Sequence, residues 1–390
     1  MRIVIFVHPD FSNSQSMPRY ARMLADGMRK HQHDVEIWTA KKFFYRIPSP
    51  KILKKWLGYI DQFILFPIEV KMKMSKYPFQ TLFVFADQAL GPWMNLVANR
   101  PFVVHCHDFM AQRSALGEMA ENPVKPFGRL YQKLIRKGYR RGKYFISVSK
   151  KTKDDLHRFL KTSPEISKVV YNGLNQNFHP GNVNEVREKL SEYLNFSLHD
   201  GYILHVGGNE FYKNRKGVIK IYNAWRDISN KTIPLIMIGP PPCEELVFLR
   251  DNSKYTNSIH FLINLSDEYL RLFYQGAFIF LFPSLDEGFG WPIAEALASG
   301  CPVVTTDKAP MTEVGGENCY YIPRMPSEDT LTESWAKYSA GILNDLAELK
   351  LEKRKLLIAN GIENARRFDA KNALNKIESI YRKVYQINQL

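Results

Sequence analysis

Short apolar runs alternate with amphipathic stretches along most of the chain. In the first half, residues 2–8, 34–38, 82–86, 102–106 and 144–148 are runs of five to seven mostly apolar positions bounded by turn or polar residues, the pattern of buried strands. Between them, 17–30, 89–98, 129–141 and 150–160 carry apolar residues at helical spacing, with Ser149 placed to cap the last of these and Asp154 and Asp155 early in it. The pattern restarts at 202–206 and continues with strands at 234–238, 259–262, 278–282 and 302–306. Strands alternating with helices predict α/β architecture with parallel, doubly wound sheets. Residues 171–180 are rich in turn formers and lack periodicity, so 1–180 is expected to be one domain, 181–200 a linker and 201–369 a second domain. A last amphipathic helix, with Leu374, Ile377, Ile380, Tyr381 and Val384 on one face, occupies 370–390.

Three hundred and ninety residues suffice for two such cores. An apolar share of 45% and a charged share of 24% suit a globular protein rather than a disordered one. Cys106, Cys243, Cys301 and Cys319 are far apart and form no C-x-x-C pair, which argues against a structural zinc site and suits a reducing compartment. The opening Met1-Arg-Ile-Val-Ile-Phe-Val reads as a first strand rather than a signal peptide, and no apolar run is long enough to span a bilayer. The net charge of +15 is uneven: residues 1–180 hold 30 Lys and Arg against 13 Asp and Glu, the remainder 24 against 26. One domain is therefore expected to face an anionic partner.

The candidate chemistry centres on Glu287-Gly-Phe-Gly-Trp-Pro-Ile-Ala-Glu295, between the strand patterns at 278–282 and 302–306. Gly288 and Gly290 make a turn, Pro292 suits the first helical position, and Gly300 closes the helix. A glycine turn opening a helix presents backbone N–H groups that favour phosphate. Glu287 is expected on the loop and Glu295 in the first helical turn. A second loop, His205-Val-Gly-Gly-Asn-Glu-Phe-Tyr-Lys-Asn-Arg-Lys216, also follows a strand and precedes a helix. Gly207 and Gly208 allow close backbone approach there, and Lys213, Arg215 and Lys216 offer positive charge.

The stretch from Leu281 to Val304 resembles the signature of family 4 glycosyltransferases, the retaining group with the GT-B fold. The resemblance is densest over 200–325 and thinner over 100–180, where Val104-His-Cys-His-Asp108, Ile146-Ser-Val-Ser149 and Asn172-Gly173 match recurrent landmarks. It implies two Rossmann-like domains facing each other across a cleft, with the last helix crossing back to the N-terminal one. It also implies a nucleotide-sugar donor, UDP- or GDP-linked, and catalysis without a cofactor or bound metal; no D-x-D tripeptide occurs in the chain. Carried residue by residue, Glu287 would hold the donor sugar, Glu295 the ribose, and Lys213 with the N–H groups near Phe289 and Gly290 the diphosphate. His107 would reach the donor sugar, helped by Asp108, while His105 forms part of the wall. Family members usually carry an Arg where this chain has Gly208, a place Arg215 would fill. They also often have a Gly-Gly pair in the loop after the first strand. Here Ser12, Asn13, Ser14, Gln15 and Ser16 stand instead, and Ser14, Ser16 and Asp108 are candidate acceptor contacts.

Residues 41–60 hold six Lys or Arg and no acid, interleaved with Phe43, Phe44, Tyr45, Trp56 and Tyr59. Basic residues mixed with aromatics suit a segment lying on an anionic bilayer, with Lys51, Lys54, Lys55 and Trp56 as contacts; no nucleic-acid motif accompanies them. The expectation is a cytoplasmic enzyme, peripheral on the inner face of the membrane, that acts on a glycan or lipid-linked acceptor in surface polysaccharide or lipopolysaccharide synthesis. The rivals are a sugar-nucleotide epimerase on the same fold and a non-enzymatic protein that binds glycan or nucleic acid.

Overall fold

The structure, a computed structural model, describes residues 1–12, 16–174 and 177–389. The chain forms two compact units. Unit 1 comprises residues 1–119, 123–175 and 370–390; unit 2 comprises 120–122 and 176–369.

Unit 1 is built on six parallel strands, β1 (Arg2–Phe6), β2 (Asp34–Trp38), β3 (Leu82–Phe85), β4 (Phe102–Cys106), β5 (Tyr144–Ser147) and β6 (Ile166–Val169), in the order β2-β1-β3-β4-β5-β6. The strands β3, β4 and β5 are buried along their whole length, as a parallel sheet covered on both faces requires. Phe6, Phe85 and Trp93 are buried together, with Phe6 and Phe85 stacked at 4.6 Å. Ser149 accepts the Thr152 N–H at 3.0 Å and so caps the helix Lys150–Phe159. Gly138 permits one close helix crossing: a methyl there would overlap the Gly91 carbonyl. The helix Ala370–Ile387 packs on unit 1 through Ala373, Ile377, Tyr381 and Val384.

Unit 2 holds β7 (Ile203–Val206), β8 (Leu235–Ile238), β9 (Ile259–Leu262), β10 (Ile279–Phe282), β11 (Val303–Thr306) and β12 (Tyr320–Ile322), all parallel, ordered β12-β11-β10-β7-β8-β9. Its core gathers Trp225, Tyr222, Leu281, Val304 and Leu343. The segment 181–200, expected as a linker, instead forms the helix Val183–Leu194 within this unit. Asn182 caps it, Val186 and Leu190 are buried, and Asn195 ends it in the left-handed conformation at φ +58°. Two strands missing from the sequence reading, β6 and β12, are the short outer strands of their sheets.

Candidate functional site

In a doubly wound sheet, ligands bind outside the carboxyl ends of the strands where the strand order reverses. In unit 2 that point lies between β7 and β10, so it is bounded by the two loops singled out in the sequence. The β7 loop runs through a short 3-10 turn, Phe211–Lys213, into Asn214. Asn214 is buried, sits at φ +50° and caps the helix Arg215–Ile228 by accepting the Gly217 N–H. Its Nδ2 donates to the Pro283 carbonyl at 2.9 Å, tying this loop to the chain leaving β10. Asparagine serves both needs, since it tolerates the left-handed region and caps well.

That tie sets Lys213 against Glu287. Lys213 Nζ lies 2.8 Å from Glu287 Oε1, and Ser284 Oγ lies 2.8 Å from the same oxygen. The lysine ammonium also stands over the Phe282 and Tyr212 rings, at 5.3 and 5.2 Å. Both side chains are largely buried, 15% and 7% exposed, so the pair is poorly screened by solvent. Asp286 Oδ1 accepts the Glu287 N–H at 2.8 Å and fixes the backbone there. Gly290 then takes φ +100°, a region closed to most side chains, and the helix Trp291–Ala298 follows with Pro292 as its second residue.

Glu295 is the fifth residue of that helix, one residue further in than the sequence suggested because the helix begins at Trp291. It is buried and accepts the Tyr274 hydroxyl at 3.0 Å. The Phe289 side chain is buried against Phe368, with the rings 5.3 Å apart, so this residue has only its backbone to offer a ligand.

The three cations expected to act together are separated. Arg215 is only 4% exposed; its Nη1 donates to Asn209 and to the Pro240 carbonyl, and its Nε and Nη2 have no partner among the described residues. Burial pulls the Arg215 guanidinium below its ordinary pKa. Lys216 turns to Glu245, at 3.3 Å. Both line a separate cavity of about 510 Å³ with Asn209, Cys243 and Thr332. Gly207 and Gly208 allow tight packing rather than open space: a methyl on the first would press on His205, one on the second on the Glu210 carboxylate.

In unit 1, His107 follows β4 and is buried. Its Nε2 donates to the Ala86 carbonyl at 2.8 Å, and Gln88 Oε1 accepts its backbone N–H at 2.9 Å. Burial lowers its pKa despite the nearby Asp87 charge and the Ala86 bond, so the ring is neutral at pH 7. Asp108, expected to orient His107, places Oδ1 on the Met110 N–H at 3.1 Å, while the Ala86 carbonyl holds the histidine. His105 is fully buried between Tyr20 and Tyr381. Ser14 lies outside the described residues, and Ser16 opens the helix Ser16–Lys30.

The basic segment folds as a helix, Lys51–Ile60, continued by a π turn and the helix Phe66–Met74. Asp61, buried just past the acid-free stretch, accepts the N–H groups of Phe43, Phe44 and Tyr45 and pins the segment down. Trp56 is half exposed and meets Phe127 at 5.3 Å, on the helix Pro126–Tyr139. Ile52, Leu53, Leu130 and Leu134 are also exposed, among Lys55, Arg129, Lys133 and Lys137. Sequence reading missed this second helix as a surface element, because only the fold brings it beside the first. No helix of the described residues is long and apolar enough to cross a membrane.

Comparison with known proteins agrees with this geometry. Residues 17–178 match the family model Glycosyltransferase Family 4, and residues 186–362 the model Glycosyl transferases group 1. The O-antigen chain mannosyltransferase RfbU of Salmonella typhimurium is 27% identical over 190 residues, 48% of this chain and 49% of that protein. O-antigen chain mannosyltransferase B of Escherichia coli is 29% identical over 184 residues, 47% of this chain and 46% of that protein. The chain thus spans about half the length of these relatives. Among solved structures, Anabaena Alr3699/HepE in complex with UDP and glucose superposes with a TM-score of 0.70 at 17% identity, covering 97% of this chain and 98% of that one. WaaG, a glycosyltransferase involved in lipopolysaccharide biosynthesis, gives 0.70 at 14%, covering 96% and 98%. With a family model on each half and two Rossmann-like units of the GT-B fold class, the chain belongs to the family 4 glycosyltransferases.

Proposed function

We propose that this protein transfers a sugar, with retention of configuration and without a metal, from a UDP- or GDP-sugar to a glycan or lipid-linked acceptor of a surface polysaccharide. The observation that carries the proposal is the Lys213–Glu287 pair at the switch point of unit 2. Departure of a nucleoside diphosphate builds negative charge on the leaving phosphate, and a fixed ammonium in a weakly screened site stabilises it. Glu287 holds donor-sugar hydroxyls and favours the positive charge that develops at the anomeric carbon. That carbon loses its bond to the phosphate oxygen and gains one to the acceptor oxygen on the same face, and the leaving phosphate takes the hydroxyl proton. Glu295, beside Tyr274, is assigned to the ribose. The names of RfbU and WaaG favour O-antigen or lipopolysaccharide as the product class.

A donor that binds only the folded protein raises its melting temperature. Screening UDP- and GDP-sugars is expected to give one stabilising nucleotide class, with the nucleotide released once an acceptor is added. If none stabilises, or if the donor is epimerised without an acceptor, the transferase reading fails.

The same proposal places unit 1 on an anionic membrane surface, supported by the exposed Trp56, Leu130 and Leu134 among lysines and arginines. Each cation near such a surface contributes about 1 kcal/mol. The double change Lys54→Gln, Lys55→Gln is therefore expected to weaken co-sedimentation with phosphatidylglycerol vesicles about thirtyfold. Unchanged binding would remove the electrostatic part of the assignment.

A further inference from the structure

The cavity of about 510 Å³ that Arg215 lines is formed wholly by unit 2, and the transfer proposed above makes no use of it. Its volume lies within the range of small-molecule sites. Arg215 is buried, and Phe261 covers a face of its guanidinium, with the ring centroid 5.6 Å from Cζ. Nη1 is taken by Asn209 and the Pro240 carbonyl, while Nε and Nη2 have no partner among the described residues. Those two nitrogens share one edge of the guanidinium, the fork that matches two oxygens of a phosphate or carboxylate. A buried cation with two hydrogen bonds unmade costs free energy that a bound anion returns.

Two further helices begin at the same cavity, Glu244–Asp251 after Cys243 and Asp329–Ala347 at Asp329. Neither has a side-chain cap, so the first N–H groups of both add positive potential there. Lys220 Nζ donates to the neutral Thr332 hydroxyl at 2.9 Å, and both residues line the cavity. Lys216 adds less, since Glu245 lies 3.3 Å from its ammonium. Glu210 and Asp329 line the same space and repel a ligand that is anionic throughout. Their carboxylates instead accept hydrogen bonds from hydroxyls. We propose that this cavity binds a sugar monophosphate, with the phosphate on the Arg215 fork and sugar hydroxyls on Glu210 and Asp329.

The rival is a structural arginine that only ties the loop after β7 to the loop after β8. Cys243 separates the two readings, because it lines the cavity and is exposed, whereas Cys106, Cys301 and Cys319 are buried. Its alkylation by iodoacetamide in the native full-length protein is followed by mass spectrometry. The probes are mannose 6-phosphate, mannose 1-phosphate, glucose 6-phosphate, glucose 1-phosphate, inorganic phosphate and free mannose. At about ten times its half-protecting concentration, at least one sugar phosphate is expected to slow the reaction about tenfold. Inorganic phosphate should need at least about tenfold more, since it lacks the hydroxyl contacts, and mannose should not protect. No protection by any sugar phosphate, or equal protection by phosphate or by mannose, overturns the proposal.

Two variants test the assigned contacts, compared by half-protecting concentration because bare rates also reflect the thiol's own reactivity. Arg215→Lys keeps the charge but loses the fork, and is expected to raise that concentration about tenfold to a hundredfold. Asp329→Ala changes an exposed residue and leaves the buried arginine in place. It should weaken the sugar phosphate about threefold to tenfold and leave inorganic phosphate unweakened. Unchanged sugar-phosphate binding in either variant overturns the proposal. UDP and GDP are expected to leave the protection in place, because the donor diphosphate is assigned to Lys213. Complete displacement of the sugar phosphate by either nucleotide would assign the cavity to the donor and overturn the proposal, with the transferase reading left standing.

Discussion

Lys213→Met and Glu287→Gln are each expected to lower sugar transfer by about a hundredfold to a thousandfold, and the double variant to be no more active than either. Removing one preorganised charge-stabilising group costs about 10²–10³ in kcat, and these two act on one transition state. Each single change also leaves a largely buried charge without its partner, which costs about 3–5 kcal/mol where burial is complete and less here, since Lys213 is 15% exposed. Activity lost through unfolding and activity lost through chemistry must be separated. The double variant does this, because Met and Gln together leave no unpaired charge, and its melting temperature should recover toward wild type while transfer stays absent. Glutamine at 287 also keeps an oxygen for the Ser284 hydroxyl, 2.8 Å away in the wild type. Full activity in either single variant, measured as nucleotide release with acceptor, would sink the proposed roles. Recovery of activity in the double variant would show that the pair matters only for folding.

The elements carrying this site were legible because their local signals are strong. The run ending at Phe282 is apolar throughout, and the run ending at Val206 is apolar but for the buried His205, as suits central parallel strands. Gly290 marks a turn at φ +100° that other residues would strain to adopt. Outer strands carry weaker signals. In β6, only Ile166 is fully buried and Lys168 is exposed, so four residues show no run long enough to register. The helix Val183–Leu194 hid among charged residues, although Asn182, Val186, Leu190 and Asn195 mark its cap, buried face and stop.

Pairings are harder to read than elements. Lys213 meets Glu287 across 74 residues and His8 meets Asp87 across 79, because strand order rather than spacing brings them together. Nothing local told Lys213 from Arg215 either. One lies ahead of the left-handed Asn214 and reaches Glu287; the other opens the helix and is buried against Asn209 and Pro240. A polar triplet can diverge this way because each side chain follows its own backbone step.

Tyr381→Ala is expected to destabilise unit 1 by about 3–5 kcal/mol, the usual cost of deleting a large buried ring. Tyr381 is fully buried on the helix Ala370–Ile387, and its hydroxyl lies 2.6 Å from His105 Nε2. On the other side, His105 Nδ1 lies 2.7 Å from the Tyr20 hydroxyl. Burial, aided by His107, pushes the His105 pKa down to about 3, so the ring is neutral in the folded protein. It has one N–H to donate and one lone pair to receive, and the two tyrosines match both. Losing Tyr381 opens a cavity and strands one ring nitrogen, whereas Tyr381→Phe strands the nitrogen alone and should cost about 1–3 kcal/mol. Hydrogen exchange read on β1 to β5 and on β7 to β11 assigns the loss to unit 1, which a single melting temperature for two units would not. His105 also gives unit 1 a pH dependence. Between its ordinary value of 6.5 and about 3 the unfolded chain binds a proton there that the folded one does not. Stability is therefore full above pH 6.5 and falls as pH drops through that window. In Tyr381→Phe the folded protein should still exclude that proton, so the slope persists while the whole curve is lowered. An alanine variant with protection in β1 to β5 equal to wild type would mean that the C-terminal helix contributes little to unit 1, contrary to the buried packing of Tyr381.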